Sequence, residues 1–73
     1  MRGYTYHERC IAKKDQAFRD GAQFGRQGAY ADMNATMLAL AAETSCHELE
    51  WWTGFWAAQI ANGYPVPFAK ELR

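Results

Sequence analysis

Gly21-Ala22-Gln23-Phe24-Gly25-Arg26-Gln27-Gly28 places three glycines at i, i+4 and i+7 inside a run that otherwise has a helical pattern. That spacing sets all three on one side of a helix. A glycine inside a helix is less stable than alanine by about 1 kcal/mol, so three on one stripe imply that something large lies against the bare backbone. Downstream, Trp51-Trp52-Thr53-Gly54-Phe55-Trp56 supplies the candidate occupant. Trp52 and Trp56 stand at i, i+4 and share a helical face, with Gly54 between them in sequence. The two stretches together predict a glycine groove packed against a tryptophan ridge.

Outward from the glycines, the periodicity predicts an all-α, three-helix mini-domain with an extended, proline-containing C-terminal tail. It forms a single domain over residues 1–73, with helices at about 7–28, 33–43 and 46–62 and a tail at 63–73. In the first helix Ile11, Phe18, Gly21, Ala22, Gly25 and Gly28 fall on one broad face, and Gly28 suits a C-terminal cap. Asp32 is the candidate N-cap of the second helix, which is small or apolar nearly all round from Met33 to Ala42. A helix apolar on every side is usually buried on more than one, which in so small a chain points to a homo-oligomer or a partner surface. Ser45-Cys46-His47-Glu48 has the S-x-x-E form of a capping box for the third helix. Leu49, Trp52, Trp56 and Ile60 are its expected inner face, and Gly63 its stop. Trp51 points away from them and is expected at the surface, where with Glu48 and Glu50 it forms a candidate partner-binding set. In the tail, Pro65 and Pro67 exclude helix, and Phe68 is expected to anchor an extended segment folded back across the core.

At 73 residues the chain is near the lower limit for a core without metal or disulfide. Three Trp, four Phe and four Tyr partly compensate. The net charge is zero, which argues against a general nucleic-acid binder. The balance conceals an asymmetry, because the first half is rich in Lys and Arg while Asp32, Glu43, Glu48, Glu50 and Glu71 later face only Lys70 and Arg73. Within the first helix Arg9, Lys13, Arg19 and Arg26 are candidates for phosphate contacts, with neighbouring glutamines adding hydrogen bonds; on the wheel Arg19 and Arg26 stand apart from Arg9 and Lys13, which breaks the track, and a solvated helix face is the alternative. No stretch is long enough to span a membrane and no signal peptide is visible, so a cytoplasmic protein with reduced thiols is expected.

The glycine run is neither a dinucleotide fingerprint nor a P-loop, and no Ser, His and Asp arrangement forms a triad. Neither histidine has an evident orienting carboxylate in sequence. The expectation is a protein that is not an enzyme and carries no cofactor. His7, Cys10, Cys46 and His47 admit a zinc site, a Cys10–Cys46 disulfide, or ordinary capping and packing roles. Adjacent residues on a helix point about 100° apart, which opposes ligation of one ion by both Cys46 and His47.

The run Ala17-Phe18-Arg19-Asp20-Gly21 with Gly25 and Gly28, followed by Trp52-Thr53-Gly54-Phe55-Trp56 and an alanine at 57 or 58, resembles ribosome modulation factor and its small relatives. These include a plasmid-borne protein linked to ciprofloxacin resistance and similar phage proteins. The shared pattern is G-x3-G-x2-G, then W-x-G-x-W. The resemblance implies a compact helical protein whose first helix packs its glycines (Gly21, Gly25, Gly28) against the aromatic helix (Trp52, Gly54, Trp56). For ribosome-binding members it also implies contact with ribosomal RNA and regulation of translation. This chain is neutral where ribosome modulation factor is strongly basic, and its segment between the motifs is longer and alanine-rich. Two function classes follow: a non-enzymatic regulator binding the ribosome or its RNA through the basic face of the first helix, and a phage- or mobile-element-encoded inhibitor binding a host protein complex through the acidic, aromatic half.

Overall fold

The structure, a computed structural model, describes residues 13–66. Among them are three helices and no strand: α1 (Lys14–Gly25), α2 (Ala35–Thr44) and α3 (Glu48–Ala61), with a single 3-10 turn at Tyr30–Asp32. Residues 7–12 of the expected first helix, Phe68 and most of the expected tail lie outside the described residues.

The pairing of α1 with α3 dominates the fold, and α2 lies more lightly against α3. Glycine makes that pairing close. A Cβ on Gly21 would fall 1.8 Å from the Trp51 carbonyl oxygen, and one on Gly25 would fall 2.4 Å from that of Phe55. The approach is reciprocal, since a Cβ on Gly54 would fall 2.1 Å from the Phe18 carbonyl oxygen. No side chain fits between these backbones, so Gly21 and Gly25 on α1 and Gly54 on α3 form one seam. Gly28 takes no part in it. Its nearest neighbour for an added Cβ is Met33 Cε at 3.9 Å.

The seam fixes the rotation of α3 and corrects the expected inner face. Trp51, Gly54, Phe55, Ala58 and Gln59 are buried, whereas Leu49 and Ile60 are exposed and Trp52 and Trp56 are half-buried. Close backbone approach requires the small residues Gly54 and Ala58 to face α1, which turns the larger apolar stripe outward. Trp51, expected at the surface, is only 1 % exposed. Its ring stacks on Phe55 at 5.5 Å and 9°, and Phe24 tilts against it at 5.4 Å. With Ala17, Leu38 and Ala42 these rings form the core. An aromatic side chain of this kind removes roughly 150–250 Å² from water, a gross gain of about 4–6 kcal/mol.

Helix ends also differ from expectation. Asn34, not Asp32, caps α2, its Oδ1 accepting from the Thr36 and Met37 N–H groups at 2.9 and 3.3 Å. Asp32 belongs to the 3-10 turn. The expected Ser45 capping box does not form, because α3 begins at Glu48 with His47 as N-cap residue. Ser45 Oγ instead donates to Ala42 O at 2.7 Å and accepts the His47 N–H at 3.2 Å. These bonds span Cys46, which takes a left-handed φ of 74°. Gly63 does stop α3. With φ at 76°, its N–H bonds Ile60 O and the Tyr64 N–H bonds Gln59 O, a Schellman ending.

Candidate interaction surfaces

The residue that ties the fold together was not foreseen from the sequence. Gln59 is fully buried in α3, and its Nε2 donates to Gly25 O at 2.7 Å and to Gly28 O at 2.6 Å. Its Oε1 accepts the Tyr30 N–H at 2.9 Å. One side chain thus satisfies the carbonyls left open where α1 ends and the first N–H of the following turn. Gly28 ends the segment by accepting this bond rather than by a left-handed cap, since Gly63 is the one positive-φ glycine among the described residues. The available signal was a lone amide on the helical face shared by Phe55 and Ala58.

Arg19 on α1 and Arg26, its C-cap residue, are exposed on the side opposite Gly21 and Gly25. Seven residues apart, they stand two turns, about 10.5 Å, from each other along the axis. Gln23 and Gln27 are also exposed, but they line the open space between α1 and α2 with Asp20, Phe24, Ala41 and Thr44. Lys13, also exposed, projects to a different side, along an open groove shared with Gln16, Asp20, Thr44 and Ser45. The structure brings Arg19 and Arg26 together, separates Lys13 from them, and leaves Arg9 outside the described residues. Neither arginine has an ion-pair partner among the described residues.

The second candidate set does not form one surface. Trp51 is internal, and Glu48 and Glu50 lie some 200° apart around α3. Glu50 Oε1 is 3.1 Å from His47 Nδ1. Glu50 thereby supplies the orienting carboxylate that sequence did not reveal. A hydrogen bond at its own backbone, followed by the His47 contacts and a contribution from Lys14, holds the Glu50 carboxyl below its ordinary value. Orientation does not make His47 an accessible base, because Nε2 is buried and has no hydrogen-bond partner among the described residues. Ser45 Oγ is committed to backbone partners.

No family model, curated protein or solved structure matches this chain. The described residues contain no group of three side chains able to hold a metal ion, and His7 and Cys10 of the suggested zinc set lie outside them. Cys46 is disulfide-bonded, which corrects the reduced-thiol expectation for that residue. A cross-link suits so small a chain because it restricts the unfolded ensemble. No described helix is long and apolar enough to cross a membrane.

What α3 presents outward is the stripe once assigned to the core. Leu49, Trp52, Trp56 and Ile60 follow one another at helical spacing, with Leu49 74 % and Ile60 58 % exposed. The inner edges of the two indoles pack on the core, Trp52 edge-on to Phe55 and Trp56 tilted against Tyr30.

Proposed function

We propose that this protein is a non-enzymatic regulator of the ribosome modulation factor type, which contacts the ribosome and its RNA in the cytoplasm through the outer face of α1. The observation that carries the reading is the division of α1 into two sides. Gly21 and Gly25 are consumed by the seam with α3, and Arg19 and Arg26 are left exposed on the other side without ion pairs among the described residues. Guanidinium groups held two helical turns apart suit phosphate. Of the residues that carry the resemblance, Gly21, Gly25 and Gly54 form the seam, whereas Gly28, Trp52 and Trp56 lie outside it. Cytoplasmic action has one requirement, that the protein works with Cys46 reduced or in surroundings that preserve its disulfide.

A second reading, a protein-binding inhibitor of a host complex, is favoured by the aromatic stripe on α3. Residues 27–66 contain Asp32, Glu43, Glu48 and Glu50 and no Lys or Arg, so this half repels a polyanion. A pull-down from bacterial lysate with and without nuclease separates the two. Ribosomal RNA recovered in a nuclease-sensitive manner supports the first reading, and nuclease-resistant recovery of a protein supports the second.

A further inference from the structure

We propose that the groove between α1 and α2 takes one unstacked base of a single-stranded RNA, a guanine, while the strand's phosphates lie on Arg19 and Arg26. The proposal rests on the reading of α1 as an RNA-binding helix and names what that RNA presents. Among the described residues the groove is walled on α1 by Asp20, Gln23 and Gln27 and on α2 by Ala41 and Thr44, with half-buried Phe24 below them. The Phe24 ring rests on that of Trp51, their centroids 5.4 Å apart, so the aromatic surface offered to a base is held from behind. The open volume is about 300 Å³, at the small end of ligand sites, and suits one base better than an extended ligand.

The polar groups on the walls select the occupant. Asp20 Oδ1 accepts from Gln16 Nε2 at 2.8 Å, which holds the carboxylate in place and leaves Oδ2 open. Thr44 Oγ1 donates to Ala41 O at 3.1 Å and keeps only acceptor capacity. The Gln23 and Gln27 side chains make no hydrogen bond among the described residues, so each offers both donors and an acceptor. A carboxylate accepts and does not donate, and its charge keeps phosphate out of the groove. What enters is therefore neutral and presents N–H groups to Asp20. Guanine sets N1–H and N2–H side by side on one edge, a match for a carboxylate, and leaves O6 and N7 for the glutamine amides. The other three bases set an acceptor beside each donor. The arginines are placed to hold the strand: Gln23 is four residues after Arg19 and three before Arg26, a surface neighbour of both, and it stands between them and the groove. A nucleotide whose phosphate bonds Arg19 or Arg26 thus directs its base across Gln23 to the groove. α2 contains no Lys or Arg, and Lys13 lies only along the groove's far continuation.

The test titrates the full chain with short oligouridine strands whose central position is U, G, A or C, with free GMP, and with purified ribosomes. The G strand should bind at least about tenfold more tightly than the other three at low salt. Asp20→Asn, which keeps an acceptor for Gln16, should remove that preference and bind the all-uridine strand slightly better, because a negative charge leaves the groove. Gln23→Ala with Gln27→Ala should also narrow the preference. Arg19→Gln with Arg26→Gln should weaken all four strands together and leave their ratios unchanged. GMP, with one phosphate, should bind far more weakly than the G strand. GMP binding as tight as the strand would assign the groove to a free nucleotide instead. Equal affinity for the four strands with the arginine dependence intact, or preference for another base, would overturn the guanine site and leave α1 as an RNA-binding helix. A guanine preference that survives in Asp20→Asn, or binding to ribosomes but to no strand, would overturn it as well. A wild type that binds neither strands nor ribosomes would remove the RNA reading and the groove with it.

Discussion

Gln59 Nε2 on α3 lies 2.7 Å from the carbonyl oxygen of Gly25, 34 residues earlier in the chain and at the last residue of α1. The bond joins the end of one helix to the inside of another, at the Gly25 end of the seam where α1 and α3 approach backbone to backbone. Packing and polar satisfaction are therefore coupled at one point. Separating the helices to admit a side chain would also pull the amide from its acceptors.

Gln59→Leu should be among the most damaging single changes. It keeps the volume but leaves Gly25 O, Gly28 O and the Tyr30 N–H without their partner. Each unsatisfied buried group costs about 1–3 kcal/mol, so a loss of roughly 3 kcal/mol or more is expected from chemical denaturation. Gln59→Glu should be at least as harmful, because a carboxylate would face two carbonyls. Wild-type stability in Gln59→Leu would contradict the capping role.

Gly21 and Gly54 in the seam and Gly28 outside it should separate sharply by their response to alanine. Gly21→Ala and Gly54→Ala introduce a Cβ against backbone oxygens that cannot swing away, and overpacking of this kind costs about 1–3 kcal/mol or more. Gly28→Ala meets only Met33 Cε at 3.9 Å and should change stability by less than about 0.5 kcal/mol. Thermal melts of the three variants provide the comparison, and equal effects at Gly21 and Gly28 would refute the seam.

Trp51→Ala should act on folding rather than on partner binding. The side chain is buried and stacked on Phe55, so its removal should cost about 3–5 kcal/mol. Loss of binding in a variant that melts like the wild type would instead return Trp51 to the surface.

Acid should weaken the start of α3 through Glu50. Its carboxyl is depressed in the folded chain by the hydrogen bond at its own backbone and then by His47. A depressed folded value contributes stability above the unfolded value, and that contribution is lost as pH falls through the folded value. The acid limb of a stability–pH profile should therefore be shallower in Glu50→Gln than in wild type. Superimposable acid limbs would count against it.

The glycine spacing revealed that α1 packs its bare face on an aromatic helix, because i, i+4 spacing fixes direction on a helix whatever the partner. It did not reveal which face of α3 answers. Ranking by hydrophobicity selected Leu49, Trp52, Trp56 and Ile60, yet a glycine groove selects for smallness, and Gly54 with Ala58 decides the rotation. Gln59 escaped notice because its partners lie at the other end of the sequence. Asn34 and Asp32 are both competent caps, and only the Tyr30–Asp32 turn determines which one reaches the open N–H groups. On the surface, Arg19 and Arg26 were legible as a pair from their seven-residue spacing, whereas Lys13 could be separated from them only on a wheel.

The claim that α1 binds RNA is tested most directly by titrating purified ribosomes with the wild type and with Arg19→Gln plus Arg26→Gln across a range of salt concentrations. The wild type should bind saturably at low salt and lose affinity steeply as salt rises. The double variant should melt normally, bind more weakly, and show a salt slope smaller by about two units, one for each lost phosphate contact. Absence of wild-type binding at low salt, or an unchanged slope in the double variant, would contradict it.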